Sequence, residues 1–336
     1  PGYLHQKAAH REGRKTARLG AQNRLAGIPA AHAQFFSGGK PGGNTLTGLN
    51  SMGRLGLKID VDTHTGMKNG VPRLLRVLRD FSVRGTFFLS IGPDNSGRAV
   101  LQLLKNPLFL KKMLKTRAPS LYGWKTALYG TILPAPMIAL SFPLLVRQIL
   151  DEGHEVQFHA WDHRRWQDDL PKKSEWWIEE WFEKGVSGFE KLTGRKPTAF
   201  GAPSWLIDDR VLRIVGKYPF EYLSCTRAKA PFVHDSLRLP EIPSDLPCFE
   251  ELAPQNDLAA IAVLMNDGGD HILPVHAEVE GGVFEEKFRQ LLKGALTAGM
   301  EIATLDDLKN SLNTELLPRR KYQMDLLPGR HSPCAV

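Results

Sequence analysis

From Leu55 onward the chain alternates short β-rich runs with amphipathic helical stretches, and this alternation limits the available folds more than any other feature. Strands are predicted at 55–61 (LGLKIDV), 85–91 (GTFFLSI), 154–159 (HEVQFH), 197–203 (PTAFGAP), 220–225 (FEYLSC), 237–242 (LRLPEI) and 271–277 (HILPVHA). Helices are predicted over 71–82, 143–152, 175–193, 208–217 and 284–298. Strands separated by helices pair in parallel, because a crossover helix returns the chain to the same end of the sheet. The pattern therefore predicts an α/β fold, a distorted (β/α)7 TIM-like barrel, over 53–310. It shows no internal repeat.

One segment breaks the alternation. Residues 106–147 form a long insertion between the second and third predicted strands, and 126–146 contain no charged residue. A run of that length could cross a bilayer, but Pro134, Pro136 and Pro143 interrupt it, and a crossing would separate the first two strands from the rest of the sheet. Lys111, Lys112, Lys115, Arg117 and Lys125 lie among Leu, Phe, Tyr and Trp, which leaves two readings: a membrane-facing lid or a buried insertion.

Charge is distributed unevenly. Residues 1–50 hold seven Lys and Arg against the single acid Glu12, so this segment supplies +6 of the formal net charge of +8. The remainder is nearly neutral, which argues against a nucleic-acid footprint on the folded part. Residues 1–52, rich in Gly, Ala, Arg and His, are expected to be a disordered basic extension whose authenticity the sequence leaves open, with Met52 just ahead of the first strand. Residues 311–336 are expected to form a C-terminal tail. Cys225, Cys248 and Cys334 have spacings of neither a zinc knuckle nor a disulfide framework, and no secretory signal is recognisable, so a cytosolic setting is expected.

The polar residues that interrupt the apolar strands carry the chemistry. Asp60 and Asp62 end the first strand, and in extended chain residues i and i+2 face the same way. Two carboxylates in one cavity repel unless a cation or proton is shared. A single Asp at a strand end would more simply cap a turn. His159 and His163 follow the third strand at a spacing that suits two imidazole ligands if the chain turns into a helix there, although such a pair alone is a weak signal. His276 ends the last predicted strand. A parallel barrel collects the carboxyl ends of its strands on one face, so all five residues are expected to converge there. One carboxylate and two histidines would leave an open position, the arrangement of a catalytic metal. Zn, Co, Ni, Mn or Fe would suit such ligands comparably.

Asp60-Val-Asp62-Thr63, His159 to His163 and Leu273-Pro-Val-His276 together resemble the first, second and last motifs of the polysaccharide deacetylase (NodB homology) family. The runs IDVDT, GVPRLL at 70–75, IGPDNSGR at 91–98, SLYGW at 120–124, HAWDHRRWQ at 159–167 and HAEVEG at 276–281 are similar to a bacterial branch of it that removes a formyl group from a lipid-linked aminosugar. The resemblance spans about 55–308. It implies a metal-dependent amide hydrolase with Asp60 as general base, His276 as general acid, and Asp62, His159 and His163 as metal ligands. It further implies a peripheral position on the cytoplasmic face of the bacterial inner membrane and a role in lipid A modification and polymyxin resistance. Trp161, Trp205 and Arg227 are expected at the sugar site.

Two departures stand out. The family's third motif usually supplies an Arg that orients the base, whereas Ala202-Pro-Ser-Trp205-Leu206-Ile-Asp208-Asp209 has none. An Asp expected near Cys225 is also missing from Ser224-Cys225-Thr226-Arg227. Either Arg227 substitutes in space, or the support of the base is weakened. A polysaccharide N-deacetylase of the chitin or peptidoglycan type would share the same five residues but is expected to carry an export signal and an open groove. A non-catalytic carbohydrate-binding relative would fit the missing Arg but not the intact acid, base and ligands.

Overall fold

The computed structural model describes residues 53–99, 128–252 and 258–336. The expected extension 1–52 and residues 106–127 of the insertion lie outside them. The predicted strands form as β1 (Arg54–Val61), β2 (Thr86–Ser90), β3 (Glu155–Ala160), β4 (Ala199–Phe200), β5 (Tyr222–Leu223), β7 (Pro240–Glu241) and β8 (His271–His276). Four further short pieces join them: β6 (Phe232–His234), β9 (Glu301–Ala303), β10 (Arg319–Arg320) and the hairpin of β11 (Met324–Asp325) with β12 (Cys334–Ala335). Each is two or three residues long, too short to show a period in sequence.

The main sheet runs β10-β6-β7-β5-β4-β3-β2-β1-β8, with β9 also on β1. Its ladders are parallel except for β6 with β7. The segment after β7 meets β8, near the opposite end of that order: the Leu246 N–H donates to Ile272 O (3.3 Å), the Ile272 N–H donates to Asp245 Oδ1 (2.7 Å), and His271 Nδ1 lies 2.7 Å from Asp245 Oδ2. A sheet whose two ends meet in this way must curl. The result is a curled, mostly parallel α/β fold, with the last gap bridged by a loop and a side chain.

Alternation along β1 decides what faces the interior. Gly56 packs on Leu305 and Leu308, which share a buried cluster with Phe88, Ala199, Tyr222, Ile242, Ile272 and Ala303 from around the sheet. Lys58 and Asp60 lie on that same inward face by the two-residue period, and Leu55, Leu57, Ile59 and Val61 point the other way. All four of these apolar residues are fully buried, so β1 is covered on both sides.

The helices follow their sequence signals closely. Glu175–Thr193 starts where the Ser174 hydroxyl accepts from the Trp177 N–H and ends at Gly194, whose φ of +74° a residue with a side chain adopts only at a cost. Its buried face (Ile178, Trp181, Phe182, Phe189) approaches β3 closely because Gly185 opposes the Phe158 ring, where a methyl group would clash. The helix His163–Asp169 carries no apolar stripe that would announce it. Asp162 caps its start by accepting from the Arg165 N–H, and the Arg164–Asp168 and Arg165–Asp169 pairs run along it.

Of the insertion, residues 128–142 form turns and a 3-10 turn at Ala139–Ser141, tied to the end of β2 by Asp94 N–H to Pro136 O (2.8 Å) and Ile138 N–H to Gly92 O (2.7 Å). Pro143 does not break structure but opens the helix Pro143–Asp151, where a missing N–H costs nothing. Ile132 and Leu144 are largely exposed, at 77% and 85%. No helix among the described residues is long and apolar enough to cross a membrane. Residues 311–336 pack on the fold: β10 extends the sheet, Ala335 O accepts from the Arg227 N–H (2.8 Å), and Cys334 and Leu327 cluster with Trp205 and Cys248.

Candidate active site

Strand ends place the five expected residues together. Asp60 is register-paired with His276 across the β1–β8 ladder, and the Ala277 N–H donates to Asp60 O (3.0 Å). Asp62 follows β1, His159 sits in β3, and His163 is the first residue of the helix that Asp162 caps. Asn95 holds Asp162 in turn, donating to Oδ2 (2.6 Å), while Asp94 accepts from the His64 and Ser96 N–H groups. The IGPDNSGR run therefore serves to fix the turn between the two histidines.

Asp62 bridges those histidines, with Oδ1 3.1 Å from His159 Nε2 and Oδ2 3.2 Å from His163 Nε2. His159 Nδ1 lies 2.8 Å from Gly201 O, which can only accept, so Nδ1 carries the proton. A ring protonated at Nδ1 alone turns a lone pair at Nε2 toward Asp62 Oδ1. Two acceptors facing each other at that distance repel unless a cation lies between them, and neither buried atom has a hydrogen-bond partner. Burial, against the pull of Asp62, brings His163 down to about 4, so it is neutral near pH 7. Burial disfavours the Asp62 anion, but the neighbouring His163, His159 and His276 outweigh it and hold the carboxyl well below its usual range. One carboxylate and two imidazoles, with ligand atoms within 4.8 Å of one another, fit a divalent cation. Cys248, Glu250 and His276 make a second close group, but burial keeps the Cys248 thiol protonated and so a poor ligand.

Around His276 the charges run the other way. Its Nδ1 lies 3.0 Å from Glu250 Oε1. Burial alone would lower its pKa, yet the charge of Glu250, followed by Asp62 and Glu280, raises it well above the usual histidine value. Burial raises Glu278 well above the usual carboxyl range, and burial beside Glu250 takes Glu280 to about 8. Glu280 Oε2 accepts the His276 backbone N–H (2.7 Å). The site thus offers the Asp60 carboxyl, a His276 ring whose protonated form Glu250 favours, and a ligand set at Asp62, His159 and His163.

Of the expected sugar contacts, Trp161 is half-buried against Gly92 and Gly188. Trp205 is 3% exposed and Arg227 9%, so both are buried. Trp205 and Ser204 take positive φ (52° and 54°), and the Trp205 ring lies between the Arg227 and Arg330 guanidinium groups, 4.7 and 4.9 Å from its centroid. Arg227 is committed to Glu251 (2.7 Å) and to the carbonyls of Ser244 (2.8 Å) and Leu246 (2.9 Å). It makes no contact with Asp60, and Lys58, unnoticed in the sequence, does. A lysine two places before Asp60 in an apolar strand was the available signal. Glu250 carried none, since the helix Phe249–Leu252 that presents it is only four residues long, too short to show a period.

Residues 59–223 match the polysaccharide deacetylase family. A probable 4-deoxy-4-formamido-L-arabinose-phosphoundecaprenol deformylase from Shewanella sediminis is 34% identical over 261 residues, covering 76% of this chain and 85% of that protein. One of the same description from Wigglesworthia glossinidia brevipalpis is 28% identical, covering 79% and 96%. Among solved structures, one from Mycobacterium smegmatis described as a polysaccharide deacetylase superposes with a TM-score of 0.58 at 17% identity, covering 86% of this chain and 99% of that one.

Proposed function

Since the chain belongs to the polysaccharide deacetylase family and is an amide hydrolase of the deformylase and deacetylase kind, we propose that it removes the formyl group from undecaprenyl-phosphate-linked 4-deoxy-4-formamido-L-arabinose. The observation that carries this reading is the register pairing of Asp60 with His276 beside the Asp62, His159 and His163 cluster, in a chain that aligns with the Shewanella deformylase over most of both lengths. In this reading residues 53–310 are the catalytic unit.

Asp62, His159 and His163 would hold a divalent ion, which supplies Lewis-acid polarisation of the formamide carbonyl and acidifies the attacking water. Asp60 takes the proton from that water as the carbon–oxygen bond forms. His276, kept protonated by Glu250, then gives its proton to the sugar nitrogen as the carbon–nitrogen bond breaks. Formate and a free amine leave. At neutral pH the amine is a cation, so the reverse reaction loses its nucleophile.

The product, an undecaprenyl-phosphate-linked aminoarabinose, would serve lipid A modification and polymyxin resistance on the cytoplasmic face of the inner membrane. Exposed Ile132 and Leu144 support a peripheral approach to that surface. The test is formate release from the formylated lipid by purified protein loaded with Zn²⁺, Co²⁺ or Mn²⁺. Release by wild type and not by Asp60→Ala supports the reading. Equal absence from both, with acetate released from an acetylated oligosaccharide by wild type, would favour an N-deacetylase.

A further inference from the structure

β1 carries a fully buried lysine among apolar neighbours, and that placement demands a reason. Lys58 shows no exposed surface. Its ammonium is flanked by the rings of Phe88 and Trp205, with centroids at 4.9 and 5.5 Å. Rings alone do not replace the hydration of an ammonium, and an unpaired buried cation is strongly disfavoured. Its charge is met by Asp60: Nζ lies 2.5 Å from Oδ1 and also reaches Oδ2. Both residues rise from one strand two positions apart, so backbone geometry holds the pair in register.

Resting on the functional reading above, which makes Asp60 the base, we propose that Lys58 is its positioning residue. A carboxylate gripped at both oxygens cannot swing about its terminal torsion, which is otherwise broad. Each oxygen keeps a second lone pair for the proton of the attacking water. The alternative cations are committed elsewhere: Arg227 is bound to Glu251, and Arg210, after the third motif, is bound to Asp208 and to Leu170 O. The third motif itself, Ala202 to Asp209, holds no Arg. Trp205 completes the support, since Arg227 and Arg330 pin the ring that walls the ammonium.

The experiment uses the full chain loaded with Zn²⁺ and the formylated lipid. Lys58→Met is expected to lower kcat by about a hundredfold, the effect of a small misplacement of a reacting group, with KM within about threefold of wild type. Bound zinc per chain is expected to stay the same, because Lys58 touches none of the three ligands. Lys58→Arg is expected to recover about tenfold of the loss, and ethylammonium added to Lys58→Ala to raise kcat saturably. A structural role alone would give neither recovery. Wild-type kcat in Lys58→Met would overturn the proposal. If wild type itself releases no formate, the functional reading falls on its own. The crystal structure of Lys58→Met then decides: an Asp60 carboxylate displaced or in two orientations supports the proposal, and one held as in wild type overturns it. Should Lys58→Met fail to fold, Lys58→Arg is read in its place, with a displaced carboxylate and lowered kcat supporting and an unmoved carboxylate and unchanged kcat overturning.

Discussion

Asp60 and His276 face each other across one rung of the parallel ladder between β1 and β8, so their side chains stand on the same face at the same height. With Asp60 as base and His276 as acid, either Asp60→Asn or His276→Gln should lower kcat by about 10²–10⁴-fold. Formate release at saturating substrate checks this. Bound metal per chain should be unchanged in both variants, which separates lost proton transfer from a lost site.

The orphaned oxygen of Asp62 and nitrogen of His159 predict a dependence on metal. Chelation should abolish turnover, and Asp62→Ala or His159→Ala should copurify with little metal. Adding the ion at about a thousandfold its Kd should stabilise wild type by about 4 kcal/mol and leave both variants unmoved, read as a shift in Tm.

Glu250 sets the protonation of His276. Removing its charge by Glu250→Gln should lower the His276 pKa, so that the imidazolium is lost at lower pH. The alkaline limb of the kcat profile should then move toward neutrality. A limb that stays in place would show that another group donates the proton.

His154 predicts the acid side of stability. It accepts from the Gly85 N–H (3.3 Å) and packs on Phe87, and burial, with Arg84 and Arg79 adding to it against Glu152, brings it down to about 4. Between the unfolded value near 6.5 and about 4 the unfolded chain binds more protons. Stability is therefore full above that window and falls as pH drops through it, by about 3 kcal/mol for this group. Urea unfolding from pH 7 to pH 4 should show a shallower loss in His154→Gln.

Ile132 and Leu144 test the approach to the membrane. Ile132→Asp combined with Leu144→Asp should reduce cosedimentation with anionic vesicles several-fold, as the apolar contact area is lost. Hydrolysis of a water-soluble formamido sugar should stay at the wild-type rate.

The sequence by itself determined the strands and the residues that end them. β1, β3 and β8 are written in local alternation, and Asp60, Asp62, His159, His163 and His276 stand where an apolar run meets a polar one, a signal that needs no knowledge of distant partners. The helix His163–Asp169 was not legible, because its stability comes from a cap and ion pairs and not from an apolar face. Only tertiary structure decided that Trp205 and Arg227 are buried, that Glu250 charges His276, and that Lys58 holds Asp60. Those outcomes depend on which charges share a dry interior. A buried charge must find its partner through space, and except for Lys58 those partners come from loops and single helical turns too short to record a local period.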